Sequence, residues 1–206
     1  MIAVVDYRVN NLRSVVRALE AGGHPATLTG DPDLVRRADR VLVPGVGHFA
    51  RASRTLAESG LGDAIRDAAR AGRPVLGICL GLQLFFAESE EEPGARGLDL
   101  LPGRVRRFAT DLPVPHVGWA EVTLTPRGAA HPVTGPLAAG GPLFYYHVHS
   151  FHPADVPDAA LLATGDYGGP FATIVGQGNV LGVQFHPEKS QRAGIELLAR
   201  FEAWAP

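Results

Sequence analysis

The chain has 206 residues, enough for one large domain or two very small ones. With 46% hydrophobic and 19% charged residues it can bury a core and shows no compositional sign of disorder. A formal net charge of −2 argues against nucleic acid or an anionic membrane as the main partner, because both call for a clustered basic surface.

No apolar run approaches the ~20 residues that span a bilayer. The opening Met1–Asp6 reads as a strand, not as a basic n-region followed by a cleavage site. A soluble, cytoplasmic protein is the expectation. Ile2–Val5 is a continuous apolar run, as in a strand buried on both faces. Leu12, Val15, Val16 and Leu19 then recur at helical spacing, with Asn10 or Asn11 as N-cap and Gly22-Gly23 at the end. A short strand follows near Ala26–Leu28, and Asp31-Pro32 opens a small helix. Val41–Val43 is an apolar strand stopped by Pro44-Gly45, and helical patterns over Phe49–Ala57 and Leu61–Ala71 lead to a strand at Pro74–Ile78. This βαβ rhythm implies a parallel sheet covered by helices.

The second half changes character. Arg104–Phe108, Glu121–Thr125, Leu143–Val148 and Ala160–Ala163 read as strands with few helices between them. Phe171–Val175 and Val180–Phe185 flank Gly176-Gln177-Gly178-Asn179, a hairpin turn. A final helix covers Arg192–Trp204, with Ile195, Leu198 and Ala199 on one face. The expected fold is one α/β domain over residues 1–206, a mostly parallel sheet flanked by helices and extended by antiparallel strands.

Three stretches carry chemistry. Cys79 is the single cysteine, so a disulfide within the chain and a thiolate-rich zinc site are both excluded. It sits in Gly77-Ile78-Cys79-Leu80-Gly81, where a strand runs into a turn and Leu82–Glu88 reads as a helix. This is the cysteine counterpart of the Gly-x-Ser-x-Gly elbow. The sulfur would lie at a helix N-terminus, and the N–H of Leu80 would face a developing oxyanion. Taken alone, the pentapeptide reads equally well as a buried core cysteine in a glycine-flanked turn.

At the second stretch, Phe185-His186-Pro187-Glu188, His186 and Glu188 lie two apart on a strand end and share a face. The carboxylate can hold one ring nitrogen while the other takes the thiol proton. Third, Pro44-Gly45-Val46-Gly47 ends a strand, and Val46 or Gly47 can supply a second oxyanion N–H. All three stretches fall at the carboxyl ends of strands, where open α/β sheets bind ligands.

The order Pro-Gly-Val-Gly, Gly-Ile-Cys-Leu-Gly-Leu-Gln and Val-Gln-Phe-His-Pro-Glu-Lys resembles the class I, triad-type glutamine amidotransferases. Within that class, Val114–Trp119, Tyr146–Ser150 and His186–Ser190 are similar to the glutaminase subunits of imidazole glycerol phosphate synthase. The opening Asp6-Tyr7 and Asn11–Val15 agree, so the resemblance covers residues 2 to about 201.

It implies Cys79 as nucleophile, His186 as base and Glu188 as its orienter, with Val46, Gly47 and Leu80 at the oxyanion. Gln83, His149 and Ser150 would bind L-glutamine. Trp119, Tyr146 and Lys189, the only lysine among 19 basic residues, would face a partner subunit near the ammonia exit. That partner would be a (β/α)8-barrel cyclase in a heterodimer. Ammonia joins a ribulosyl intermediate there, giving imidazole glycerol phosphate and an aminoimidazole carboxamide ribotide in histidine biosynthesis. No metal and no cofactor is implied. Glutaminase subunits for another acceptor, or a free γ-glutamyl hydrolase, are the alternatives.

Several positions depart from the family pattern: Arg8 and Asn10 where glycines are usual, His48 after the Pro-Gly-Val-Gly turn, and Ala120 after Gly-Trp. His24 and His131 precede prolines and read as surface residues. His147 and His149 share a strand face, but no acidic third ligand stands at zinc-site spacing.

Overall fold

The computed structural model describes residues 1–8 and 12–206. In its first half strands and helices alternate: β1 (Ile2–Val5), α1 (Leu12–Ala21), β2 (Ala26–Thr29), α2 (Pro32–Arg37), β3 (Arg40–Val43), α3 (Phe49–Glu58), α4 (Leu61–Arg70), β4 (Val75–Ile78) and the single turn α5 (Leu80–Gln83). The second half is strand-rich: β5 (Arg104–Arg107), β6 (His116–Leu124), α6 (Pro126–Ala130), β7 (Leu143–His149), β8 (Phe151–Ala154), β9 (Leu161–Asp166), β10 (Pro170–Gln177), β11 (Val180–Val183) and α7 (Gln191–Ala203).

Nine strands make one sheet in the order β2-β1-β3-β4-β11-β10-β9-β6-β7. The first five run parallel, and β10, β9, β6 and β7 are added antiparallel. β5 and β8 pair in a small separate sheet. The late strand β11 lies directly beside β4, with Val183 opposite Ile78 and the Cys79 N–H donating to Val183 O at 2.8 Å. That insertion brings the chain after residue 183 to the cysteine.

The parallel strands are buried on both faces because their alternate residues feed two cores. Ala3, Val5, Val41, Val43 and Val75 pack with Phe49, Leu56, Leu61 and Ile65 of α3 and α4. Ile2, Val4, Leu42, Leu76 and Ile78 pack with Val15, Leu19, Leu197, Leu198 and Phe201 of α1 and α7.

Local signals set the element ends. His24 N donates to Leu19 O across the glycine pair that closes α1, and Asp31 accepts from Asp33 N at 2.8 Å to cap α2. The proposed α1 caps, Asn10 and Asn11, lie outside the described residues. In the β10–β11 hairpin Gln177 pairs with Val180, so the loop is Gly178-Asn179, narrower than the four residues expected.

Other expectations are corrected. The helix over Leu82–Glu88 does not form: α5 ends at Gln83. Leu98 N takes the carbonyl of Leu84, while the N–H groups of Leu100 and Leu101 take that of Phe85. Those carbonyls would otherwise continue the helical ladder. β6 starts five residues before Glu121, since His116–Val122 pairs with His149–Leu143. β8 and α6 were not anticipated. The buried face of α7 is Gly194, Leu197, Leu198 and Phe201, with Ile195 and Ala199 only partly covered. His131 is partly buried, its ring 5.2 Å from that of Trp204.

Candidate active site

β4 delivers Cys79 in a strained conformation, φ +53° and ψ −107°, as the N-cap of α5. The strain sits on the cysteine itself, and Gly81 lets the turn that follows it pack on the end of β3: a Cβ there would lie 1.8 Å from Val43 O. A neighbouring strand delivers the imidazole. His186 follows β11, and its Nδ1 lies 2.8 Å from Glu188 Oε1. A carboxylate only accepts, so Nδ1 carries the proton and Nε2 is turned to the Cys79 side, where the imidazole and thiol interact. Both side chains of the His186–Glu188 pair are 1% exposed.

The segment is clamped from outside. His186 N donates to Tyr146 O at 2.9 Å, Ser190 Oγ donates to His186 O at 2.6 Å, and Tyr146 N donates to Ser190 Oγ at 3.0 Å. Burial works against a charged His186. The sulfur of Cys79 and the Glu188 carboxylate outweigh it, and the imidazolium is held up to about 10. Cys79, His186 and Glu188 are thus brought together.

A pocket of about 210 Å³ opens at the sulfur, lined by Val46, Gly47, Cys79, Leu80, Gln83 and Glu91, with Pro115 and the stretch Val148–Phe151 opposite. Gln83, His149 and Ser150 therefore line the same pocket as the sulfur. Phe151 O accepts from Gln83 Nε2 at 3.0 Å and pairs with His149 Nδ1 at 2.9 Å. Burial, then the neighbouring His147, keeps His149 well below the usual imidazole range. His147 is pushed down to about 3, chiefly by burial. His116, stacked 5.1 Å from His147 and 4.0 Å from Tyr167, is also lowered by burial. These histidines form an aromatic cluster with Phe108 and Phe171.

The oxyanion side is arranged differently. Val46 and Gly47 reach the pocket, but the Leu80 N–H is taken by the carbonyl of Gly45 at 3.3 Å. The donor expected for an oxyanion therefore already has a partner. Behind the loop, the buried Tyr7 hydroxyl donates to Pro44 O at 2.6 Å. Burial, with a contribution from Cys79, raises Tyr7 above the ordinary phenol range. Arg8 takes the left-handed conformation, φ +64°, with its N–H on Asp6 Oδ1 at 2.9 Å.

Trp119 and Tyr146 pair across β6 and β7, their rings 6.4 Å apart and edge to face. Lys189 Nζ stands 5.6 Å from the centre of the Tyr146 ring. Trp119 is 49% exposed and is not a core aromatic; Val117 and Phe144 are exposed on the same outward face. β7 is an edge strand, so this apolar face stands at the rim of the sheet.

Three residues escaped the sequence reading. Glu91 hid in the acidic run Glu88–Glu92; its Oε2 accepts from Phe49 N at 2.6 Å, and it lines the pocket. Gln184, fully buried, points its amide nitrogen at Cys79 Sγ, 3.6 Å away. Tyr7 reads as plain core. Alternation along Gln184-x-His186-x-Glu188 was the available signal for the second; the others carry none.

Residues 3–203 match the glutamine amidotransferase class-I family. The chain is 46% identical over 200 residues to the imidazole glycerol phosphate synthase subunit HisH of Symbiobacterium thermophilum, covering 97% of this chain and 92% of that one. It is 45% identical over 202 residues to the HisH subunit of Moorella thermoacetica, covering 97% and 93%. Among solved structures, PurLQS from Thermotoga maritima has the same fold, with a TM-score of 0.76 at 20% identity over 98% of this chain and 97% of that chain.

Proposed function

The chain belongs to the class-I glutamine amidotransferase family, in its HisH branch, and we propose that its glutaminase reaction runs through Cys79, His186 and Glu188. The observation that carries this reading is the strained cysteine whose neighbouring imidazole is held by a buried carboxylate at 2.8 Å.

Cys79 gives its thiol proton to His186 Nε2, and the thiolate attacks the side-chain amide carbon of L-glutamine, forming the S–C bond and an oxyanion. His186 then gives its Nε2 proton to the amide nitrogen, the C–N bond breaks, and ammonia leaves. A water attacks the γ-glutamyl thioester with His186 as base. L-Glutamate departs and Cys79 is restored. Gln83, His149 and Ser150 hold the amino-acid end, and Glu91 supplies the carboxylate at the pocket for the substrate ammonium.

The Leu80 N–H meets the oxyanion only after the Gly45 carbonyl turns away. A partner that turns this loop would restrain hydrolysis until its own substrate is bound. In this reading residues 1–206 act as one cytoplasmic glutaminase domain. The rim of Trp119, Tyr146 and Lys189 docks on a (β/α)8-barrel cyclase subunit, which uses the ammonia to make imidazole glycerol phosphate. No described helix is long and apolar enough to cross a membrane.

The test is ammonia release from glutamine by the purified chain, with and without a cyclase subunit and its nucleotide ligand. Cys79→Ala should abolish release, by at least about 10³-fold, and leave the circular-dichroism spectrum unchanged. Full activity of the wild-type chain without any partner would favour the free hydrolase.

A further inference from the structure

We propose that Gln184 is a catalytic hydrogen-bond donor to the Cys79 sulfur, held in that orientation by a relay through Gln83 to the carbonyl of Phe151. The proposal rests on Cys79 being the nucleophile. A glutamine amide can face either way, so its polarity must come from its neighbours. Here the neighbours leave no choice. Phe151 O is a backbone carbonyl and only accepts, so the atom of Gln83 lying 3.0 Å from it is the nitrogen. That same nitrogen is 3.2 Å from Gln184, and the Gln184 atom facing it must accept, so it is Oε1. The remaining end of the Gln184 amide is Nε2, 3.6 Å from Cys79 Sγ. Turning Gln83 over would set its amide oxygen against the oxygens of Phe151 and Gln184, and turning Gln184 over would set two amide NH2 groups against each other in a buried place.

Gln184 has no freedom to drift from this position. It is fully buried, and its N–H donates to Thr173 O at 2.8 Å. It also stands two residues before His186, just past the end of β11, so one short segment brings both the proton carrier and a neutral donor to the sulfur. The two act differently. His186 must give up its proton during the reaction, whereas the amide of Gln184 donates throughout, both when the thiolate is formed and when it is regenerated as the thioester leaving group. A donor aimed at sulfur favours thiolate over thiol. His186 and Tyr7 both interact electrostatically with Cys79. The relay ends on Phe151, which also lines the pocket, so the nucleophile is braced against the wall that receives the substrate.

The test needs no partner and no glutamine turnover for its first readout. Alkylation of Cys79 by iodoacetamide is followed against pH in the wild-type chain and in Gln184→Met, which keeps the volume and removes the donor. The midpoint should move up by about one pH unit, and kcat should fall about tenfold with KM within about twofold. An unmoved alkylation profile, or a loss confined to KM, overturns the proposal. Should Gln184→Met fail to fold, Gln83→Met removes the brace and should shift the midpoint in the same direction by a smaller amount; no shift there overturns it as well. Loss of turnover in Cys79→Ala is read separately, so failure of the nucleophile assignment is not confused with failure of this one.

Discussion

The two sides of the pocket are built to different standards. On the sulfur side, parallel pairing of β4 with β11, a cysteine with no room to relax and a buried His186–Glu188 pair fix the geometry during folding. On the loop side, Gly45 O occupies the Leu80 N–H, and Gly47 lies in the open with φ +116° and nothing within 4 Å of where a Cβ would stand. On the function proposed above, the nucleophile is finished by the fold, while the donor to the oxyanion waits on one peptide turning. An enzyme organised this way can keep a loaded thiol without wasting glutamine.

The largest effect should come from placing one methyl group on each side. Gly81→Ala sets a Cβ against Val43 O, a backbone atom that cannot step aside. It should cost about 3 kcal/mol or more and lower Tm by roughly 10 °C. Gly47→Ala meets no neighbour and strains only its own backbone, at about 1 kcal/mol. Its Tm should fall by a few degrees while partner-stimulated ammonia release drops much further. Equal losses of Tm in the two variants would break the contrast between a fixed and a movable side.

What the sequence disclosed follows the same division. Cys79, His186 and Glu188 stand in short stretches whose chemistry shows in neighbouring letters. Long apolar runs likewise announced β1, β3 and β4, because burial on both faces leaves no polar positions. Order within the sheet is a different matter. Nothing in Val180–Val183 says that it will slide in beside β4, since pairing partners a hundred residues apart leave no local periodicity. The early end of α5 is another long-range effect, caused by N–H groups of residues 98–101 that reach carbonyls a dozen or more residues earlier. Gln184 looked like one more strand residue, and Glu91 like one more surface charge, because each has its meaning only across the pocket.

A second, intermediate effect concerns pH, and it sharpens the contrast through charge. His147 titrates near 6.5 when unfolded and near 3 in the fold, so below 6.5 the unfolded chain binds more protons. Its stabilising contribution is present above pH 6.5 and is lost as pH falls toward 3. His149, also held well below the usual imidazole range by burial, acts with the same sign. His186, raised to about 10, acts oppositely: its contribution is complete below 6.5 and fades as pH rises toward 10. Between pH 7.5 and 5.0 the buried pair should therefore dominate, and Tm should drop by roughly 5–10 °C. His147→Gln should flatten that slope. An unchanged slope in the variant would show that the acid sensitivity arises elsewhere.

The smallest effect tests whether the loop side is restrained at its root. Tyr7 donates to Pro44 O, the first carbonyl of the loop, from a buried position that also touches the electrostatics of Cys79. Replacing that hydroxyl with hydrogen in Tyr7→Phe keeps the ring in the core. It removes a hydrogen bond worth about 1 kcal/mol, equivalent to about fivefold in the population of a turned loop. If the bond helps hold the Gly45 carbonyl on the Leu80 N–H, ammonia release without a partner should rise severalfold while the stimulated rate stays close to wild type. The ratio of stimulated to basal rate is the quantity to measure, because loss of protein stability lowers both rates together and leaves the ratio unchanged. A constant ratio would mean that the loop is held by the Gly45–Leu80 contact alone and that Tyr7 serves only the core.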